Sequence, residues 1–269
     1  MKTRAITAFF FTIVMLGSVL LGGTVFTAFY LLLSVLSLAE FFKLIKHADV
    51  KPHTFLGYLA GIFIFGGLAA HQLFDADSKY LLLIIPAVFG VFIAELYRKE
   101  KSPFTNIGYT FLGLVLVIIP FCFFYALGFI KDPETYNFHF PLAFMLMLWA
   151  SDTGAYLFGR KLGKNKLFER HSPKKTWEGF AGGVFVSVLV GLIISFYFVE
   201  VSGFVWAGMA VLIVSFGTLG DLVESMLKRS LDVKDSGTLL PGHGGLLDRF
   251  DGLLIAAPIV FAYLYLVLY

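Results

Sequence analysis

The sequence predicts an all-α, polytopic integral membrane protein with about nine transmembrane helices, its N-terminus inside and its C-terminus outside. Three observations carry this. First, 58% of the 269 residues are hydrophobic and only 14% charged, with a mean hydropathy of +0.85. A soluble domain usually carries about 25% charged residues, and so few charges cannot cover a water-facing surface. Second, the apolar residues run in stretches long enough to cross a bilayer, about 20 residues each. Third, the basic residues fall in alternate connections between those stretches. A soluble single-core enzyme and a disordered chain are excluded. The 27 glycines show no three-residue period, so a collagen-like fibre is excluded too. Cys122, the one cysteine, makes neither an internal disulfide nor a thiolate metal cage.

In chain order the stretches lie at roughly 5–23, 25–45, 55–71, 79–97, 107–128, 140–159, 180–199, 203–228 and 251–268. The first is followed by no small-residue cleavage site and runs straight into Thr24-Val25-Phe26, so it is read as an uncleaved helix. No stretch shows the alternation of an outer-membrane barrel. Pro86, Pro120 and Pro258 fall inside spans, which membrane helices tolerate when neighbours satisfy the freed carbonyls. With the N-terminus inside, 19 of the 21 basic residues fall on the inner side, and only Lys79 and Lys131 lie outside.

There is no repeat and no low-complexity tract. Residues 1–139 read as a membrane scaffold, available for lipid access or a dimer contact. Residues 140–269 gather the polar groups with chemical potential. Three segments meet at the inner face: Ser151-Asp152-Thr153, the loop Arg160–Glu178, and Asp221–Asp251. Asp221, Glu224, Ser225 and Lys228 share one helix face by their i, i+3, i+4, i+7 spacing, and Asp248 and Asp251 share another. Carboxylates on an apolar helix are costly in lipid, so they face protein, water or a cation. The turn Pro241-Gly242-His243-Gly244-Gly245 exposes backbone N–H groups suited to phosphate oxygens. Several carboxylates beside many cations, with no thiolate, point to hard oxygen-ligated metal and a phosphorylated substrate at the inner leaflet.

The 27 residues from Ser225 to Asp251 resemble the signature of phosphatidate cytidylyltransferases (CDP-diacylglycerol synthases). The matching positions are Ser225, Leu227-Lys228-Arg229, Lys234-Asp235, Gly237, Leu240-Pro241, His243-Gly244-Gly245-Leu246 and Asp248-Arg249-Phe250-Asp251. Ser172-Pro173-Lys174-Lys175-Thr176-Trp177-Glu178-Gly179 and Ser151-Asp152-Thr153 resemble that family as well. The resemblance implies the reaction of CTP with phosphatidate to give CDP-diacylglycerol and pyrophosphate. It implies Mg²⁺, a second monovalent cation (K⁺), and a homodimer in the cell (cytoplasmic or inner) membrane with its active site facing the cytoplasm. No nucleic-acid partner is expected.

On that resemblance Asp221 and Asp248 are the first choice for the metal, supported by Asp152, Glu224 and Asp251. Intramembrane salt bridges to Lys228 and Arg249 are the competing reading. Lys228, Arg229, Lys234 and Arg249 are assigned to CTP or lipid phosphates, against plain inside charge. Asp221, Asp248, Lys228 and Arg249 form the expected catalytic set. Lys174 and Lys175 sit on a loop that closes over nucleotide. Ser225 and Thr176 bond phosphate or support a ligand carboxylate, and His243, Gly244 and Gly245 order the loop or touch phosphate. Glu40 and Glu95 are read as snorkelling charges or helix–helix contacts, with no assigned role. Two alternatives are weaker. A CDP-alcohol phosphotransferase needs a motif that fails after Asp251-Gly252, and a transporter needs mid-membrane polar residues that the first five spans lack.

Overall fold

The computed structural model describes residues 2–46, 50–237 and 244–269. Its elements are helices α1 (Lys2–Leu20), α2 (Gly23–Ile45), α3 (Thr54–Phe74), α4 (Ile84–Leu96), α5 (Pro103–Gly113), α6 (Ile119–Ala126), α7 (His139–Leu162), α8 (Trp177–Ile194), α9 (Gly203–Ser230) and α10 (Leu247–Leu268). One hairpin, β1 (Lys166–Phe168) and antiparallel β2 (Ser172–Thr176), interrupts the helices between α7 and α8. The protein is therefore all-α and polytopic, as its sequence predicts. The hairpin is the exception; the sequence reading has a loop there.

Among the described residues, eight helical segments are long and apolar enough to cross a membrane. The first expected span gives a shorter apolar helix, Thr7–Leu20. The fifth span, Pro103–Phe129, is built from α5, a π-helical turn at Leu114–Ile118, α6 and a 3₁₀ turn at Leu127–Phe129. Its widened turn lies just before Pro120, which has no N–H to donate and crowds the preceding turn.

Contacts between connections show which helix ends share a face. Lys51 pairs with Glu100 at 3.0 Å, joining the α2–α3 and α4–α5 connections. Glu40 of α2 bonds Ser236 after α9, and Lys175 of β2 pairs with Asp221 of α9. At the opposite face Tyr136 Oη donates to Val19 O at 2.8 Å, and Tyr269 Oη to Ile130 O at 3.1 Å. There Glu200 meets His139 and Asn137. Burial works to raise the Glu200 carboxyl, but the hydrogen bonds of His139 and Asn137 hold it below the usual carboxylate range.

The core runs between the two halves of the chain. An aromatic cluster of Phe26, Tyr30, Phe124 and Tyr125 joins α2 to α6. Buried Phe250 of α10 meets Phe121 of α6 and Phe11 of α1. That anchor turns its neighbours Asp248 and Asp251 toward α9. The α7–α8 pair packs most extensively. A Cβ at Gly154 would lie 2.7 Å from Gly182 O, so small residues permit the approach.

Candidate active site

Helices α7, α9 and α10 and strand β2 enclose a cavity of about 640 Å³. Its polar wall carries Asp152 of α7, Asp221 of α9, and Asp248 and Asp251 of α10. Arg160, Lys174, Lys175 and Arg249 line the same cavity. Phe11, Leu148, Trp149, Phe180 and Val214 form an apolar wall beside them. The helix directions explain the convergence. The end of α7, the start of α8, the end of α9 and the start of α10 reach one face.

Asp221 and Asp251 of this wall, with Glu224 just behind it, offer carboxylate oxygens all within 4.8 Å of one another. Two of them are one turn apart on α9, and the third comes from the adjoining helix. Their distance is set by glycine. A Cβ at Gly220 would collide with the carbonyl of Asp251, and one at Gly217 would lie 3.4 Å from Gly252 O. Any side chain there pushes α10 away from the α9 carboxylates. Glu224 is buried, and its Oε1 has no hydrogen-bond partner among the described residues. A buried carboxylate oxygen left unpaired is costly, and a cation is one way to satisfy it.

Asp221 is held open to the cavity by Lys175 on one oxygen and by Ser225 Oγ, 3.2 Å away, on the other. Asp248 is engaged differently. Its Oδ1 accepts from Lys228 Nζ at 2.5 Å, and its Oδ2 from the backbone N–H of Ser236 at 3.0 Å and of Gly245 at 2.8 Å. It thus pins the α9–α10 connection to the start of α10. Asp221 and Asp248 line one cavity, but the tightest acidic group joins Asp221 to Glu224 and Asp251.

Lys228 is buried between Glu224, at 2.9 Å, and Asp248, and does not line the cavity. Thr176 caps α8, its Oγ1 accepting from Gly179 N at 3.1 Å, and borders the cavity. Arg229 is exposed and donates to Val233 O at 3.1 Å. Lys234 is exposed and also outside the cavity lining. Gly244 has a positive φ of 84°, and a Cβ there would meet Asp248 Oδ2 at 2.6 Å. His243 lies outside the described residues. Arg160, in the last turn of α7, also borders the cavity. Glu40 has no role legible in the sequence. Its signal was a single carboxylate in the apolar run of α2.

Lys228 neutralises two buried carboxylates at once. Lys228→Met is expected to lower stability by on the order of 3 kcal/mol, because an unpaired buried charge remains. Thermal unfolding in detergent checks this; a native melting temperature would remove Lys228 from that role.

Comparison with known proteins identifies the family. The family model for the cytidylyltransferase family matches residues 2–267. The chain belongs to the cytidylyltransferase family. It is 37% identical over 262 residues to a phosphatidate cytidylyltransferase of Staphylococcus aureus (strain COL), covering 97% of each chain. It is 36% identical over 263 residues to one from Staphylococcus haemolyticus, again covering 97% of each. A third, from Bacillus subtilis (strain 168), is 35% identical over 265 residues, covering 97% of this chain and 96% of that one. As a cytidylyltransferase-family chain of apolar spanning helices, it is a multi-pass membrane protein of nucleotidyltransferase type.

Proposed function

We propose that this chain transfers the cytidylyl group of CTP to phosphatidate, giving CDP-diacylglycerol and pyrophosphate at the cytoplasmic face of the cell membrane. One observation supports it above the rest. Four carboxylates and four basic side chains line a single cavity that also has an apolar wall. Such a cavity suits a triphosphate beside the headgroup of a lipid.

In this reading a phosphate oxygen of phosphatidate attacks the α-phosphorus of CTP. The bond from that phosphorus to the β-phosphate bridging oxygen breaks, and pyrophosphate leaves. The nucleophile is already anionic, so alignment and charge neutralisation dominate over proton removal. Lys174, Lys175 and Arg249 hold phosphate oxygens from two sides of the cavity. Arg160 adds charge at the same rim. Ser225 orients Asp221, and Thr176 fixes the start of α8 under the β2 lysines. Lys228 acts through Glu224 and Asp248. Arg229 and Lys234, both exposed, serve anionic headgroups or inside charge.

The all-oxygen donor set of Asp221, Glu224 and Asp251, with its unpaired buried Glu224 oxygen, fits Mg²⁺. When bound, the ion supplies neutralisation of the charge on the phosphates. A second cation, K⁺, belongs to the same reading, with Asp152 and Asp248 as the remaining carboxylates of that wall. Residues 140–269 then carry the chemistry, and 1–139 support it and offer a surface for a homodimer. The same reading has the N-terminus inside and the C-terminus outside, which the basic connections support.

The test is incubation of purified protein with labelled CTP, phosphatidate and Mg²⁺. A CDP-lipid and pyrophosphate are expected, and chelation of divalent metal is expected to stop both. Failure to form the lipid product in folded protein would overturn the reading.

A further inference from the structure

We infer that Glu40, in the stretch expected to be scaffold, is a positioning residue that holds the two described ends of the α9–α10 connection together. This rests on the function proposed above. Glu40 lies near the end of α2 and is buried at 7% exposure. A carboxylate there is costly unless it is fully bonded. Among the described residues its bonds go to one place, about 200 residues away in the chain. Ser236 Oγ donates to Oε1 at 2.5 Å, Leu247 N to Oε1 at 3.0 Å, and Leu246 N to Oε2 at 2.9 Å. The last two are free amides at the start of α10, where a negative charge also suits the helix dipole.

Two glycines fit around this carboxylate. A Cβ at Gly237 would lie 2.8 Å from Glu40 Oε2 and 2.9 Å from its carboxyl carbon. A Cβ at Gly245 would run into Glu40 Oε1 and Ser236 Oγ. Asp248 holds the same two residues by their backbone, at Ser236 N and Gly245 N. Ser236 is thus gripped by two carboxylates, one from α2 and one from α10, and Gly245, held by Asp248, packs against Glu40. Ser236 and Leu246–Leu247, on either side of the segment not described, are bonded by Glu40. Asp248 in turn holds Lys228, which holds Glu224 of the acidic group. Glu40 therefore acts on the cavity through Asp248, without lining it.

The decisive experiment is a double-mutant cycle on turnover, joined to amide exchange. Glu40→Ala is expected to lower kcat roughly a hundredfold, and Glu40→Gln, which keeps the volume and one acceptor, roughly tenfold. Gly237→Ala is expected to lower kcat roughly tenfold in the native chain, but less than about twofold beside Glu40→Ala, where its methyl finds room. Native turnover in Glu40→Ala, or an equal loss from Gly237→Ala in both backgrounds, would overturn the inference. If Glu40→Ala does not fold, the cycle is run between Glu40→Gln and Ser236→Ala, and strictly additive losses would overturn it. Exchange at the Leu246 and Leu247 amides is expected to quicken at least about tenfold in the Glu40 variants, and unchanged exchange would count against the clamp. Exchange needs no turnover, so it decides the clamp even if the native protein forms no CDP-lipid.

Discussion

Asp221→Ala is expected to lower CDP-lipid formation by on the order of a thousandfold while the protein stays folded. The reason is the setting of this side chain. Asp221 stands at the cavity wall with its side chain 32% exposed, and its partners are Lys175 and Ser225. Removing it leaves no buried charge unpaired, because Lys175 is itself 27% exposed. What is lost is one of three carboxylates within 4.8 Å, on a helix that the substitution leaves intact. Steady-state turnover across a Mg²⁺ titration, with thermal unfolding alongside, checks both halves. Native rates at ordinary Mg²⁺ would take Asp221 out of the metal site.

Asp248→Ala is expected to remove turnover to a similar degree, and also to destabilise the protein by on the order of 3 kcal/mol. The same residue type on the same cavity has a different task. Its side chain is only 9% exposed and neutralises Lys228, itself 11% exposed. It also satisfies the amides of Ser236 and Gly245. After the substitution Lys228 keeps only Glu224, and two amides lose their acceptor. Asp248→Asn keeps the shape and an acceptor, so it should recover part of the stability without the charge. Unfolding temperatures in one detergent compare the three proteins. A variant as stable as the native chain would show that the loop is held by other means.

The pair shows where sequence reading reaches and where it stops. The i, i+3, i+4, i+7 face of Asp221, Glu224, Ser225 and Lys228 was legible, because helix periodicity alone puts those side chains together. The Ser225–Asp221 and Lys228–Glu224 bonds follow from it. Element edges were less legible. The last span was read from 251, but α10 begins at Leu247, and that extra turn brings Asp248 into the helix. The seventh was read from 180, but Thr176 caps the helix and starts it at Trp177. The β1–β2 hairpin was read as a loop because its residues are charged and lack a clear alternation. Glu40 stood out as a lone acid in an apolar helix, but nothing near it in the chain names its partner.

By itself, the sequence determined that the chain is all-α and lies in a membrane, which connections carry the positive charge, and which stretch gathers the polar groups. These are properties of composition and of short-range period, fixed by the length of a span and the pitch of a helix. Only the tertiary structure decided which acids group together. Asp251 joins Asp221 and Glu224 because Gly220 lets two helix backbones touch, and Glu40 reaches Ser236 because α2 ends beside the start of α10. Close packing between distant segments sets those distances, and no local pattern in either segment encodes the other's position.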